Sequence, residues 1–228
     1  MIVAIDGPAA SGKSTTAIGV AKRLGITYLD TGAMYRAVTL GLIENSINFE
    51  NSIELEKYVI QIKLEFLEDK SGALIFLNDV DVTEQIRSTK VTENVSEVSG
   101  LKTVRKFMVN IQRQMAKDYD CIIEGRDIGT VVYPNADFKF FLVADERSRA
   151  KRRLYDIMSA GTSESLDIDD VLDIDDVLRD LNNRDYKDST RKHSPLKKAD
   201  DAEIIDTTNL TINEVIDKIV NIINQKGH

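Results

Sequence analysis

Short apolar segments alternate with helical patterns along most of the chain. Between the first two segments, Ala17, Val20, Ala21 and Leu24 recur at helical spacing. Strands that alternate with helices form parallel sheets covered by helices on both faces, so this order favours the α/β class. The predicted strands span residues 2–5, 26–29, 121–123, 138–143 and 202–205.

A different pattern interrupts this order between the second and third strands. Residues 64–82 alternate apolar and polar positions around two turn-prone sequences, DKSG at 69–72 and ND at 78–79. Alternation with a period of two is typical of strands with one buried face. We therefore predict a small antiparallel insert here.

Two further helices are predicted outside this insert. Residues 101–117 carry apolar side chains at helical spacing, which indicates an amphipathic helix whose apolar stripe packs in the core. Near the C-terminus, Thr211 is followed three residues later by Glu214, the pattern of a capping box. A packing helix is expected to begin there, with its apolar face formed by Ile212, Val215, Ile216, Ile219, Val220 and Ile223.

Composition and charge argue against several classes of partner and site. The 228 residues carry a net charge of 30 − 38 = −8, and the isoelectric point is about 4.9. This acidic balance argues against nucleic acid or an anionic membrane as a partner. The single cysteine, Cys121, excludes an intrachain disulfide, and two histidines are too few for a His-rich metal site. No apolar run approaches ~18 residues, so we expect a cytoplasmic protein without a membrane span.

One segment is repeated in tandem. The sequence DIDDVL occurs at 167–172 and again at 173–178, and half of these twelve residues are Asp. The glycine and terminal glutamate of an EF-hand calcium loop are missing, so we interpret the repeat as added length. Six residues turn a helix by about 240°, so the extra copy does not extend one helix face and is expected to loop out.

A glycine-rich segment lies between the first predicted strand and the first predicted helix. It matches the phosphate-binding pattern G-x-x-x-x-G-K-[ST] in the context that this pattern requires. Backbone amides and the start of the helix would surround phosphate oxygens, Lys13 would neutralise β/γ-phosphate charge and Ser14 would ligate Mg²⁺. The segment consists of Gly7, Pro8, Ala9, Ala10, Ser11, Gly12, Lys13 and Ser14, followed by Thr15.

A phosphate-binding loop (P-loop) alone leaves a switch GTPase, a motor-like ATPase and a small-molecule kinase open. No Asn-Lys-x-Asp guanine-reading motif is present, which weakens the first reading. Polar loops follow the second and third predicted strands, DTGAMYR at 30–36 and EGRDIGT at 124–130, where open α/β sheets bind ligands. Glu124 ends an apolar run, as a Walker-B-like acid that holds Mg²⁺ does. Arginines concentrate in and after these loops, and arginine binds phosphate with two parallel hydrogen bonds.

These motifs together resemble the bacterial cytidylate kinase family of nucleoside monophosphate kinases. The matching segments are IDGPAASGKST, YLDTGAMYRA, VTEQIR, EGRDIGTVVYP, RDYKDSTRKHSPL and DTTNL, which extend from residue 5 to about residue 210. The resemblance implies a P-loop core with a five-stranded parallel sheet, a small monophosphate-binding insert at about 45–100 and a lid at about 147–185. It also implies a single domain over residues 1–228 and a monomer.

The resemblance implies transfer of the γ-phosphoryl group of ATP to CMP or dCMP, with Mg²⁺. Carried over residue by residue, Arg36, Arg126 and Arg191 would clamp the acceptor phosphate, and Arg152 would reach the transferring phosphate. Ser96, Arg105 and Asp127 would read the base. Arg184 and Asp188 would contact the ribose, and Asp30 and Thr31 would line the acceptor side.

The base assignment also has a chemical reason. A carboxylate at Asp127 accepts from the cytosine amino group, and Arg105 donates to the ring acceptors, whereas uracil presents the opposite polarity. Two alternatives stay open at this point. The first is another small P-loop kinase with a different acceptor, and the second is a regulatory module that binds nucleotide without turnover. The arginines favour a kinase, and the choice of acceptor would separate the two kinase readings.

Overall fold

The computed structural model describes residues 1–69, 72–159 and 173–226. Its strands are β1 (Ile2–Asp6), β2 (Thr27–Asp30), β3 (Leu64–Asp69), β4 (Gly72–Leu77), β5 (Val80–Asp81), β6 (Cys121–Gly125), β7 (Phe138–Val143) and β8 (Glu203–Asp206). Its α-helices are α1 (Lys13–Leu24), α2 (Thr31–Glu44), α3 (Ser52–Val59), α4 (Thr89–Val98), α5 (Lys102–Met115), α6 (Glu146–Ser159), α7 (Ile174–Thr190) and α8 (Ile212–Lys226).

Five strands form one parallel sheet in the order β2-β6-β1-β7-β8. The predicted parallel α/β core is confirmed, and the strand bounds move by only one or two residues. They move because backbone pairing continues into polar residues such as Asp6, Asp30 and Glu124, which the apolar pattern does not include. The parallel register brings the loops after β1, β2 and β6 to the same edge of the sheet.

Alternate residues of β1 face two helical layers. Val3 and Ile5 pack with α1 and α8, whereas Ala4 belongs to the cluster formed with α2 and α5. All three side chains are fully buried, as expected for the central strand of a sheet covered on both faces. This rigid centre carries the phosphate-binding loop at its carboxyl end.

The predicted insert is confirmed as an antiparallel sheet in the order β3-β4-β5. Asn78 and Asp79 both have left-handed φ values, 51° and 66°, as the two central residues of a tight hairpin turn require. The other predicted turn includes residues 70–71, which lie outside the described residues. Ile75 and Leu77 of β4 are buried in the same cluster as Val38 of α2, so the insert packs directly on the core.

The capping box at the start of α8 is also confirmed. The Glu214 carboxylate accepts hydrogen bonds from the Thr211 amide at 2.7 Å and hydroxyl at 2.8 Å, and the Thr211 hydroxyl accepts from the Glu214 amide at 3.3 Å. Five of the six residues of the predicted apolar face, Val215 to Ile223, are buried against β7 and α1. Ile212 is exposed, because it lies at the very start of the helix. Among the described residues, no helix is long and apolar enough to cross a bilayer.

A Thr211→Ala variant is expected to lower the free energy of unfolding by about 1 kcal/mol, because it removes the hydroxyl that accepts from the Glu214 amide in the first turn of α8. Urea denaturation of the wild-type and variant proteins measures this change. Lys218→Ala, at an exposed position of the same helix, is the control and should change stability by less than about 0.5 kcal/mol. Equal stability of the Thr211 variant and the wild type would contradict the capping role.

Candidate active site

The loop after β1 follows a path that few side chains permit. Gly7 has φ +150°, and a Cβ atom there would lie 2.2 Å from the carbonyl oxygen of Leu142 in β7. Ala10 and Gly12 have left-handed φ values of 57° and 88°, a backbone conformation that residues other than glycine rarely adopt. Successive turns of this kind point backbone amides into a concave anion site. The loop therefore has the shape that its sequence predicts for phosphate binding.

Lys13 is buried at the start of α1, with 6% of its surface exposed. Its Nζ donates to the carbonyl oxygen of Pro8 across the loop at 2.6 Å. Burial, together with the nearby charge of Arg126, lowers the pKa of Lys13, and Glu124 opposes this effect. A phosphate group in the loop would restore the charged form and replace the carbonyl as the partner of the amine.

Glu124 lies at the end of β6, at the same edge of the sheet. Its carboxylate is 3% exposed and accepts a hydrogen bond from the hydroxyl of Tyr28 at 2.5 Å. Burial, and then the neighbouring Asp30, raise the pKa of Glu124, while Lys13 and hydrogen bonds from Ser14 and Tyr28 lower it. Ser14 and Glu124 therefore present hydroxyl and carboxylate oxygens side by side beside the phosphate-binding loop.

Several arginines converge next to these residues. Burial lowers the pKa of Arg184 to about 10, and the charges of Arg126, Arg36 and Arg153 contribute. The pKa of Arg36 is also lowered by burial and by Arg153, although Asp30 opposes this. The Nε of Arg184 is buried and has no hydrogen-bond partner among the described residues. The positive charges of these arginines repel one another, and a bound anion would relieve this repulsion. The cluster is therefore suited to a phosphate group.

Arg105 of α5 and Asp127, which follows β6, form a buried ion pair. Arg105 also donates to the carbonyl of Ser99 at 3.1 Å, and its guanidinium lies 5.5 Å from the centre of the Tyr35 ring. Arg191 approaches the second oxygen of Asp127 at 3.7 Å. Hydrogen-bond donors and acceptors of fixed geometry are thus held together at a buried position.

Asp188 connects this pair to the arginines. It accepts from the Ser96 hydroxyl at 3.2 Å and from the Arg126 Nε at 3.0 Å, and Arg191 lies at 3.8 Å. Burial by itself would raise the pKa of Asp188, but Arg126, Arg184 and Arg191 hold it below its usual value. Six of the residues predicted to bind the acceptor therefore form one connected network of hydrogen bonds and ion pairs: Ser96, Arg105, Arg126, Asp127, Asp188 and Arg191.

Three predicted residues make other contacts. Asp30 caps α2 by accepting from the amide of Ala33 at 2.9 Å, and the buried Thr31 hydroxyl donates to the carbonyl of Glu124 at 2.6 Å. Arg152 donates to the hydroxyl and carbonyl of Thr207 at 2.9 and 2.6 Å. The acceptor-lining role of Asp30 and Thr31 and the phosphate contact of Arg152 stay predictions.

An open cavity of about 350 Å³ lies between the phosphate-binding loop and α6. It is lined by Ala10, Gly12 and Thr15 of the loop region and by Arg152 and Tyr155 of α6, among others. Its size is within the range of small-molecule sites.

Sequence reasoning missed three residues that hold the site together. Asp6 accepts from the amides of Ile128 and Gly129 at 2.9 and 2.8 Å, which fixes the π-helical turn Ile128–Val132 next to Asp127. Arg149 and Asp185 both bind the backbone of Ala9. The only sequence signal was that Arg149 lies in an arginine-rich stretch and Asp185 follows Arg184.

Taken together, a phosphate-binding loop, a neighbouring acid and a second, arginine-lined anion site define a P-loop phosphotransferase. A family model described as cytidylate kinase matches residues 3–225. A cytidylate kinase of Fusobacterium nucleatum subsp. nucleatum is 52% identical over 219 residues, which cover 96% of this chain and 95% of that protein. A cytidylate kinase of Lactobacillus johnsonii is 46% identical over 226 residues, 99% of this chain and 95% of that protein. The chain belongs to the cytidylate kinase family.

Among solved structures, an uncharacterized protein from Eubacterium ventriosum shares the fold, with a TM-score of 0.52. It is 13% identical and the match covers 98% of both chains, so this similarity concerns the fold alone. Family membership implies ATP as the phosphoryl donor and small-molecule nucleotides as substrates.

Proposed function

We propose that this protein transfers the γ-phosphoryl group of ATP to CMP or dCMP, which yields ADP and CDP or dCDP. The observation that carries the proposal is the buried Arg105–Asp127 pair, joined through Arg191 to an arginine network beside the phosphate-binding loop. The pair is suited to the base, and the network to the acceptor phosphate. The named relatives are cytidylate kinases over nearly their full length, which agrees with this assignment.

The chemistry needs alignment and charge neutralisation more than acid–base catalysis. The acceptor is already an anionic phosphate oxygen, so the reaction requires no general base. Lys13 and the loop amides hold the β- and γ-phosphates, and Arg36, Arg126 and Arg191 orient the acceptor phosphate for in-line attack. Arg152 leaves Thr207 to neutralise the transferring group. Holding both reactants in line supplies much of the rate enhancement.

Ser14 and Glu124 fit a magnesium ion. Mg²⁺ prefers oxygen ligands and is commonly held by one or two carboxylates together with substrate phosphates. The Ser14 hydroxyl and Lys13 both lie near the buried Glu124 carboxylate, close enough to lower its pKa. Among the residues described, no group of three or more His, Cys, Asp or Glu side chains could hold a metal by itself. A magnesium ion held there would neutralise charge on the β- and γ-phosphate oxygens.

The preference for cytosine over uracil follows from where each base carries hydrogen-bond donors and acceptors. Asp127 accepts from the 4-amino group of cytosine, and Arg105 donates to its ring acceptors. Uracil places a carbonyl opposite the carboxylate and an N–H opposite the guanidinium. Buried polar groups left with the wrong partner discriminate by ~10⁴-fold in favourable cases.

A coupled ADP-release assay tests the proposal, with Mg-ATP and CMP, dCMP, UMP, AMP, GMP or dTMP in parallel. Turnover with CMP and dCMP, and little with the others, is the expected result. ATP hydrolysis without an acceptor should be slow, because lid closure excludes water from the phosphates. Preference for another monophosphate would favour the alternative of a different small P-loop kinase and overturn the base assignment.

The tandem repeat is proposed to adjust the length of the lid without entering the phosphate site. Its first copy, 167–172, lies outside the described residues. The second copy begins α7: Asp173 caps the helix by accepting from the amide of Asp175 at 3.2 Å, and Val177 is buried against Ala9. The second copy therefore has a packing role of its own.

A protein that lacks residues 167–172 is expected to retain at least about one tenth of wild-type turnover with CMP, because the second copy begins α7 and supplies the packing against Ala9. The assay above measures it, with Lys13→Ala as the inactive reference. A deletion protein as inactive as that reference would place the first copy within the catalytic machinery.

The insert at 45–100, the lid at 147–185, the monomeric state, the cytoplasmic location and the lack of a nucleic-acid partner stay predictions. Size-exclusion chromatography with light scattering tests the monomeric state directly.

A further inference from the structure

Side chains from two helices, α6 and α7, form hydrogen bonds to the backbone of Ala9 in the phosphate-binding loop. The Ala9 amide donates to the carboxylate of Asp185 in α7 at 2.9 Å, and the Ala9 carbonyl accepts from Nη1 of Arg149 in α6 at 3.1 Å. Arg149 and Asp185 also form an ion pair with each other. Their side chains are 7% and 16% exposed, so water weakens these contacts little.

Apolar packing holds the same three segments together. Ala9 belongs to a small buried cluster with Ala150 of α6 and with Val177 and Leu181 of α7. Both helices therefore contact the loop through the ion pair and through packing. The loop cannot change shape at Ala9 without moving α6, α7 or both, because packed interiors deform little.

Two residues that are predicted to bind the acceptor lie on α7, the helix that carries Asp185. Arg184 directly precedes Asp185, and Asp188 follows one helical turn later, where it binds Ser96 and Arg126. A ligand that draws Arg184 and Asp188 into place therefore fixes Asp185 as well. Asp185 in turn holds Ala9, in the loop that receives ATP.

We propose that Arg149 and Asp185 are positioning residues that couple acceptor binding to the shape of the ATP loop. Binding of the monophosphate then tightens binding of ATP, and linkage requires the same factor in the reverse direction. The inference rests on the proposed function for the identity of the acceptor only. A purely structural role of the pair would alter stability without altering this coupling.

Isothermal titration tests the proposal on the full-length protein with a non-hydrolysable ATP analogue, with and without saturating CMP. In the wild type, CMP should tighten binding of the analogue by at least about 5-fold, the usual lower range of coupling between sites. In Asp185→Asn, and separately in Arg149→Lys, this factor should fall below about 2-fold, while the affinity for CMP alone changes by less than about 3-fold. Arg149→Lys keeps the charge but loses the planar group that reaches both partners.

Asp176→Asn is the matched control, because Asp176 lies on the exposed side of α7 and pairs only with Arg179, at 3.1 Å, among the contacts described. It should retain the wild-type factor. Thermal melting confirms that each variant is folded, and the two substitutions provide independent readings if one of them is not. A wild-type coupling factor near one, or unchanged coupling in folded Asp185→Asn and Arg149→Lys, would overturn the proposal. If the acceptor panel selects a monophosphate other than CMP, the titration uses that acceptor, so the two proposals fail separately.

Discussion

Replacement of Lys13 by alanine is expected to lower turnover with CMP by about 10³-fold while leaving the fold intact. Removal of one preorganised group that stabilises transition-state charge typically costs 10²–10³-fold in rate, and phosphate clamps are at the upper end. Lys13 is buried at the start of α1, and its amine reaches across the loop to the carbonyl of Pro8. No other described lysine makes a hydrogen bond to this loop.

Stability should change little in this variant, in contrast to its activity. The buried amine carries a desolvation cost, which is why burial lowers the pKa of Lys13. Alanine removes that cost together with the hydrogen bond to Pro8, and it is a good helix former at the start of α1. The coupled assay and a urea denaturation curve measure the two quantities on the same preparation.

Lys22→Ala is the control, because Lys22 lies exposed in the last turn of the same helix. It should keep wild-type turnover. If Lys13→Ala is folded and loses less than about tenfold, the phosphate role of the lysine is wrong. An equal loss in both variants would indicate an effect of the helix instead of the site.

The second large effect is expected at Asp127. Asp127→Asn should lower kcat/KM for CMP by at least about 10²-fold and reduce the preference for CMP over UMP by a similar factor. Arg105 holds the one oxygen that remains, so the new NH2 group takes the place of the other carboxylate oxygen. A donor there opposes the cytosine amino group and tolerates the uracil carbonyl. Activity with UMP should therefore stay constant or rise, a result that simple damage to the protein would not produce.

The same substitution also breaks a buried ion pair. It leaves Arg105 without its full countercharge, which typically costs 3–5 kcal/mol. Asp201→Asn is the matched control: Asp201 pairs with the buried amine of Lys139 at 2.7 Å but makes no described contact with the acceptor network. It should alter the CMP:UMP ratio by less than about twofold. An unchanged ratio in folded Asp127→Asn would refute the proposed base-reading role.

Features that depend only on residues close together in the sequence could be predicted accurately. The apolar runs indicated all five strands of the parallel sheet, and alternation indicated the insert, because backbone periodicity is local. The capping box needed only Thr211 and Glu214. The phosphate-binding loop was evident for the same reason, since its glycines, Lys13 and Ser14 lie within one short segment.

In the candidate site, residues outside the phosphate-binding loop could be assigned roles from the sequence only through the family resemblance. Arg105 and Asp127 lie 22 residues apart, and neither periodicity nor spacing implies that they pair. The structure added how they are held: Ser99 and Arg191 fix the pair, and Asp6 fixes the turn that follows Asp127. Such contacts depend on how helices pack on the sheet.

By itself, the sequence determined the α/β class, the phosphate-binding loop and the family, because each is encoded in local patterns or contiguous motifs. Only the tertiary structure decided which charges meet. Arg149 lies 140 residues from Ala9 and Asp185 lies 176 residues from it, yet both bind its backbone. Contacts between residues so distant in the chain arise when buried apolar faces pack, and the packing, not the spacing, selects the partners.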